Sequence, residues 1–248
     1  MGILRKINVL SFIIWAGTAS WAASGGYVIS TGGGQSLSRG EGVVANPLGC
    51  VDFPCTGELD NFNRVDGEPI NAPWSSRILA VSGKELRVVS STLLANDNSG
   101  GNYCDQAYGT LFDLGDHEIY LDYVTIPNSA TSFLNLFVKL SAISTFTASG
   151  YYARVRQNAG STPNDIAFFR LDNNVSTALG TATITLTAGD QVGVLALNDV
   201  SGTLAFYING VSTFSVTDAT YSGQAGYLAV GQRNDSARMD NFGGGRRD

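Results

Sequence analysis

One histidine, three cysteines and a charged fraction of only 15% set the first limits on this 248-residue chain. With His117 as the sole imidazole and no Cys-x-x-Cys pair, a zinc centre of nitrogen and sulfur ligands is excluded. Three cysteines are too few for a disulfide scaffold. Basic residues are outnumbered, 15 Lys and Arg against 21 Asp and Glu, and the formal net charge is −6. A surface of that sign repels phosphate backbones and no basic stripe interrupts it, so nucleic acid is not an expected partner. No Gly-x-Ser-x-Gly elbow presents a nucleophile, so His117, within Leu114-Gly115-Asp116-His117-Glu118, reads as an exposed loop histidine rather than a triad base. Nor does any stretch keep a 3.6-residue apolar period long enough for a helix.

Long hydrophobic runs are also missing, with one exception at the N-terminus. Met1 to Lys6 supply a positive start, Val9 to Ala16 an apolar stretch broken only by Ser11, and Ser20-Trp21-Ala22 a small-residue cleavage site. The apolar stretch is shorter than the ~20 residues a membrane span requires. Residues 1–22 are therefore expected to be a signal peptide cleaved after Ala22. The mature chain is then secreted, extracellular or periplasmic, with no membrane contact. Residues 23–57, with Gly32-Gly33-Gly34, Pro47 and Pro54, read as a flexible lead-in in which only Val43, Val44 and Leu48 are suited to docking. Cys50 and Cys55 flank Val51-Asp52-Phe53-Pro54 and are expected to close a local bridge in an oxidising compartment, leaving Cys104 over. Three unpaired thiols are the alternative.

What the chain does have is short alternating segments separated by Gly, Asn and Asp. Leu134, Leu136, Val138 and Leu140 alternate with Asn135 and Lys139, and Tyr151, Ala153 and Val155 with Tyr152, Arg154 and Arg156. Both have the period of a strand with one buried face. Thr203 to Ile208 and Val211 to Val216 flank Asn209-Gly210, the pair a two-residue type I′ hairpin turn favours. Leu59-Asp60-Asn61-Phe62 near the start is echoed by Met239-Asp240-Asn241-Phe242 near the end. The echo predicts neighbouring terminal strands with Phe62 and Phe242 inward and both aspartates outward. Regular short strands with Gly-rich turns predict an all-β sandwich or barrel.

Asp60-Asn61-Phe62-Asn63-Arg64, Asp66-Gly67 and Trp74 open a longer pattern. It continues through Gly150-Tyr151-Tyr152-Ala153-Arg154-Val155, Leu179-Gly180, Ala188-Gly189-Asp190, Tyr207-Ile208-Asn209-Gly210 and Asp218-Ala219-Thr220 to Asp240-Asn241-Phe242. In this order the motifs resemble the concanavalin A-like, laminin-G-like modules of bacterial secreted proteins and phage structural proteins. The resemblance spans roughly Glu58 to Gly243. It implies a two-sheet antiparallel jelly-roll sandwich over 58–243, leaving 244–248 as a tail. It leaves function open, because this fold hosts lectins, binding modules, glucanases and lyases.

The candidates for chemistry follow. A retaining glycosidase needs two carboxylates about 5–5.5 Å apart. Glu118 and Asp122 share a strand face but stand about 13 Å apart by strand rise. A lyase would draw on Tyr151, Tyr152, Arg154 and Arg156, but no histidine lies near them in sequence, so the segment reads as a strand with Tyr151 packed and its arginines solvated. Calcium needs several oxygen ligands. Asp97, within Asn96-Asp97-Asn98, and Asp105 would hold it in a rim loop, Asp60 or Asp240 between the terminal strands. Sugar recognition needs flat rings and planar polar groups, for which Tyr103, Tyr108, Tyr152, Arg154 and Arg156 are the candidates. The expectation is thus a non-catalytic module binding a glycan or cell-surface polymer. The alternatives are an adhesive or virion component docked by its N-terminal segment onto a protein assembly, and a polysaccharide hydrolase or lyase.

Overall fold

The computed structural model describes residues 50, 52–67, 70, 72–75, 85–95, 103–126, 132–143, 147–156, 164–233 and 237–247, with the backbone of two short strands near the N-terminus. The chain divides after Gly49 into two units. In the first, β1 (Ala22–Ala23) and β2 (Tyr27–Val28) pair antiparallel. Met1 to Trp21 of the expected leader, and Val43, Val44 and Leu48, lie outside the described residues.

The second unit is all-β, and no helix occurs among its described residues. Its strands are β3 (Glu58–Asp60), β4 (Trp74–Ser75), β5 (Leu86–Val89), β6 (Thr92–Ala95), β7 (Tyr103–Tyr108), β8 (Asp116–Thr125), β9 (Phe133–Leu140) and β10 (Gly150–Arg156). They continue with β11 (Asn164–Asp172), β12 (Val175–Ile184), β13 (Gln191–Ala196), β14 (Thr203–Ile208), β15 (Val211–Thr217), β16 (Tyr227–Arg233) and β17 (Arg238–Arg247). One sheet has the order β12-β11-β10-β9-β16-β7-β4 and the other β15-β14-β13-β8-β17-β6-β5, with β3 added against β17. All pairings are antiparallel. The seven-stranded and eight-stranded sheets enclose one core, to which Leu134, Leu136, Val138, Tyr151, Ala153, Val155, Val192, Val194 and Phe206 all contribute. The two alternating segments therefore bury the residues their period predicts.

The alternation fails at Lys139. Its φ of 54° turns the end of β9, so Leu140 joins the opposite face and the lysine is itself fully buried. Burial draws the ammonium down to about 8 while Asp116 pulls the other way. The charge is met by the carbonyls of Gly115 at 2.8 Å and Ser222 at 2.5 Å, so one side chain ties two loops to β9. The hairpin forms as expected, with Asn209 and Gly210 both at positive φ (50° and 78°).

The echoed ends meet. Phe242 on β17 pairs with Asp60 on β3, and Phe62 and Phe242 are both completely buried against Trp74, with ring centroids 5.9 and 4.7 Å away. Asp60 departs from the expected outward orientation. Its carboxylate accepts from the Trp74 indole at 2.6 Å and the Phe62 amide at 2.8 Å and pairs with Arg64. Trp74 belongs to the seven-stranded sheet and Asp60 pairs with the other, so this bond crosses the sandwich.

Two boundaries also shift. Cys50 and Cys55 are disulfide-bonded as expected, but the loop they close is packed rather than part of a loose lead-in. Phe53 stacks on Tyr207 at 4.2 Å and covers Gly193, where any β-carbon would strike its ring. At the other end the expected tail is strand. Gly244, Gly245, Arg246 and Arg247 continue β17 against Ile119, Glu118, His117 and Asp116, and only glycine fits at 244, because a β-carbon there would lie 2.5 Å from the Glu118 carbonyl. Cys104 is buried in the core.

Truncating the ring at the junction of the terminal strands should be costly. Phe242→Ala is expected to lower unfolding free energy by about 3–5 kcal/mol in urea denaturation. A loss under ~1 kcal/mol would show that the ring does not hold the strands together.

Candidate functional site

Antiparallel pairing aligns side chains of neighbouring strands into rows, and alternate residues share a face. On the outer face of the seven-stranded sheet, strands β11, β10, β9, β16 and β7 place three such rows side by side. The first is Asp165, Arg156, Phe133, Arg233 and Tyr103. The second is Ala167, Arg154, Asn135, Gly231 and Asp105. The third, Phe169, Tyr152, Phe137, Ala229 and Ala107, is largely apolar and belongs to a satellite core with Leu140, Ala148 and Leu171. Each row crosses five strands, about 19 Å at the usual strand spacing.

Arg154 is the centre of this face. Its guanidinium lies 4.4 Å from the centroid of Phe133, 5.1 Å from that of Phe169 and 5.5 Å from that of Tyr152. Its Nε donates to Asn135 at 3.1 Å, and the Asn135 amide donates in turn to the Tyr103 hydroxyl at 3.0 Å. Tyr103 lies over Gly231, where no side chain would fit beneath its hydroxyl. Burial first, and Asp105 second, push the Tyr103 phenol well up, so it stays a neutral hydroxyl. Tyr152, buried and stacked on Phe169 at 4.8 Å, donates to Ser176 at 2.9 Å. The apolar row closes one end. The arginine row is the more open one, with the Arg156 side chain 44% exposed and within 3.9 Å of Asp165.

Four of the five expected sugar-binding residues, Tyr103, Tyr152, Arg154 and Arg156, are thus brought together on one face. Tyr108 is not. It points to the inter-sheet side and packs on Trp74 and Phe242, because an even number of residues would be needed to share the face of Tyr103. Arg154 is wedged among rings rather than solvated as expected. Phe133, Asn135, Phe169 and Arg233 complete the cluster, and their places were set by strand register rather than by any motif.

The two places expected for calcium lie on different sheets, and at the terminal strands burial first, then Asp122 and Asp60, push the Asp240 carboxyl up. Asp105 is buried in the seven-stranded sheet, whereas Asp60 and Asp240 stand at the terminal strands of the other. Asp60 is taken up by Trp74, Phe62 and Arg64, and Asp122, across from Asp240, by the amides of Gln191 and Asn241. Asp97 lies outside the described residues. Among the described residues no three His, Cys, Asp or Glu side chains group to hold a metal.

Glu118 is fully buried. Its carboxylate accepts from the Cys55 amide at 2.7 Å and the Thr56 hydroxyl at 2.6 Å, and Arg247 faces it at 3.5 Å. The residue anchors the disulfide loop to the back of the eight-stranded sheet. Tyr151 is held in the core by the Asp218 carbonyl and carboxylate. His117 is not an exposed loop residue. It sits on β8, fully buried beside Phe112, with Nε2 2.7 Å from the Asp113 carbonyl.

No protein-family model matches the sequence, and no curated protein matches it. Several solved structures share its fold. The potassium-bound carbohydrate recognition domain of Emp46p aligns at TM-score 0.55 and 8% identity, covering 77% of this chain and 96% of that one. A protein of unknown function with a galectin-like fold from Bacillus subtilis aligns at 0.52 and 11%, covering 71% and 90%. A β-1,3-1,4-glucanase (lichenase) derived from a mouse hindgut metagenome aligns at 0.50 and 8%, covering 76% and 97%. At these identities the likeness is one of fold, and the fold is the concanavalin A-like jelly roll.

Burial pulls His117 from 6.5 down to about 4, so the folded chain keeps a neutral ring where the unfolded chain takes up a proton. The stability this provides is complete above the unfolded value and is lost as pH falls through the folded one, about 3 kcal/mol in all. Chemical denaturation from pH 7 to pH 4 should therefore show a steeper decline for the wild type than for His117→Gln. Equal slopes would refute the assignment.

Proposed function

We propose that this protein is an exported, non-catalytic sandwich that binds a glycan on the outer face of the seven-stranded sheet. The observation that carries this is the Arg154 guanidinium, seated over three aromatic rings and hydrogen-bonded through Asn135 to Tyr103. Rings offer flat surfaces to the C–H faces of sugars, and the amide, phenol and guanidinium offer donors and acceptors in fixed planes to hydroxyls. These groups hold one another in place, so little ordering is left for the moment of binding. The fold shared with the carbohydrate recognition domain of Emp46p supports the same role.

Three side chains among the described residues support the non-catalytic reading. Glu118 is spent on the disulfide loop, Asp122 on amides, and the neutral Tyr103 is a poor proton acceptor. The disulfide is consistent with an oxidising compartment, and export predicts a mature chain beginning at Ala23.

A glycan array followed by calorimetry on the hits tests the proposal. Arg154→Ala should weaken binding by about tenfold or more, the scale of losing one charge-assisted contact. Tyr108→Phe, on the other side of the sheet, should bind as the wild type does. Equal effects of the two substitutions, or no glycan bound by the wild type, would remove this face as the site.

A further inference from the structure

We infer that the glycan this face accepts is acidic, carrying carboxylate or sulfate groups that the arginine row engages. The inference rests on the reading of the face as a glycan site and adds the chemical class of the ligand. Arg156 and Arg233 are the two cross-strand partners of Phe133, and Arg154 reaches the same ring from the next row. Two guanidinium groups thus lie against one benzene ring, that of Arg154 4.4 Å and that of Arg233 5.9 Å from its centroid, with the half-exposed Arg156 on the neighbouring strand. The chain as a whole is acidic and sparsely charged, so this end of the sheet reverses the prevailing sign.

Among the described residues two carboxylates share this face with the three arginines. Asp165 approaches only Arg156, at 3.9 Å, and both side chains are well exposed, 39% and 44%. A pair of that kind contributes little and is readily exchanged for a better anion. Asp105 is buried beside Tyr103, one strand from Arg233 and three from Arg154, so it bears on one end of the arginine cluster and not on Arg154 or Arg156.

Arg154 and Arg156 share β10 and Arg233 lies across β9 on β16; gathering like charges on one face is unfavourable by itself, and functional sites are where such arrangements occur. All three cations are arginines. Their planar forks match carboxylate and sulfate oxygens in pairs and stack on rings at the same time, which a lysine ammonium does not do. The first row supplies the charges and Phe133 supplies the surface on which a sugar ring lies between them.

The test is calorimetric titration of the full chain with oligogalacturonate, oligoalginate, a heparin-derived oligosaccharide and a neutral glucan of matched length. Each is measured at low and high salt, with single-stranded DNA as a polyanion without this stereochemistry. At least one acidic oligosaccharide should bind about tenfold or more tighter than the neutral one at low salt, the advantage shrinking as salt screens the contacts. Arg156→Gln with Arg233→Gln should reduce acidic binding to the neutral level while the thermal unfolding curve stays in place. If the neutral glucan binds as tightly as every acidic one, the charge inference fails and the glycan site stands. If no saccharide binds, both fail. DNA binding as tight as that of the best acidic glycan would show a general polyanion surface and overturn the inference.

Discussion

β16 enters the seven-stranded sheet between β9 and β7, and the face of that sheet depends on the register it adopts there. Gly231 falls between Asn135 and Asp105, so Tyr103 can fold flat across it and reach Asn135. Arg233 falls beside Phe133, opposite Arg156. A slip of one residue would turn Leu228 and Val230 outward and send Arg233 into the core, so burial of one face fixes the chemistry of the other.

The sandwich is closed where its terminal strands meet. The bond from Trp74 to Asp60 joins the sheets at the point where Phe62 and Phe242 are buried, and a buried carboxylate is tolerated there because donors surround it. The same logic recurs at Glu118, which pins the disulfide loop, and at Lys139, which holds two loops by their carbonyls. These buried ions are consumed by the architecture. The arginines of the outer face are different: Arg154 and Arg233 lie against the Phe133 ring, Arg154 also donates to the buried Asn135, and Arg156 faces one exposed aspartate.

This division of labour explains which expectations held at the level of residues. Asp60 and His117, judged by their types, were placed at the surface, yet both are buried with specific partners. The tail glycines looked like loose chain and are strand, because a backbone without β-carbons can lie against the Glu118 carbonyl. The glycines meet a strand far along the chain, whereas Asp60 and His117 take hydrogen-bond partners near them in sequence and are buried by the sheets packed around them, which local pattern and composition do not show.

Alternation, turn chemistry and the repeated Asp-Asn-Phe string were enough, by themselves, to specify an all-β sandwich or barrel with adjoining terminal strands, the Asn209-Gly210 hairpin and the inward rows of β9 and β10; the ordered motifs and their family resemblance narrowed this to a two-sheet jelly roll. The strands and the hairpin rest on period and on backbone preference, which are local, and the terminal pairing on the repeated string alone. The Cys50–Cys55 bridge was legible for the same reason, being closed within five residues. Which of the remaining strands would lie side by side was not local, and so the tertiary structure alone decided that Tyr103 joins Asn135 and Arg154, that Tyr108 turns to the core, and that Arg154 and Arg233 meet at Phe133. Side chains from β7, β9, β10 and β16 become neighbours only through hydrogen-bonded register across the sheet, a relation that no single segment encodes.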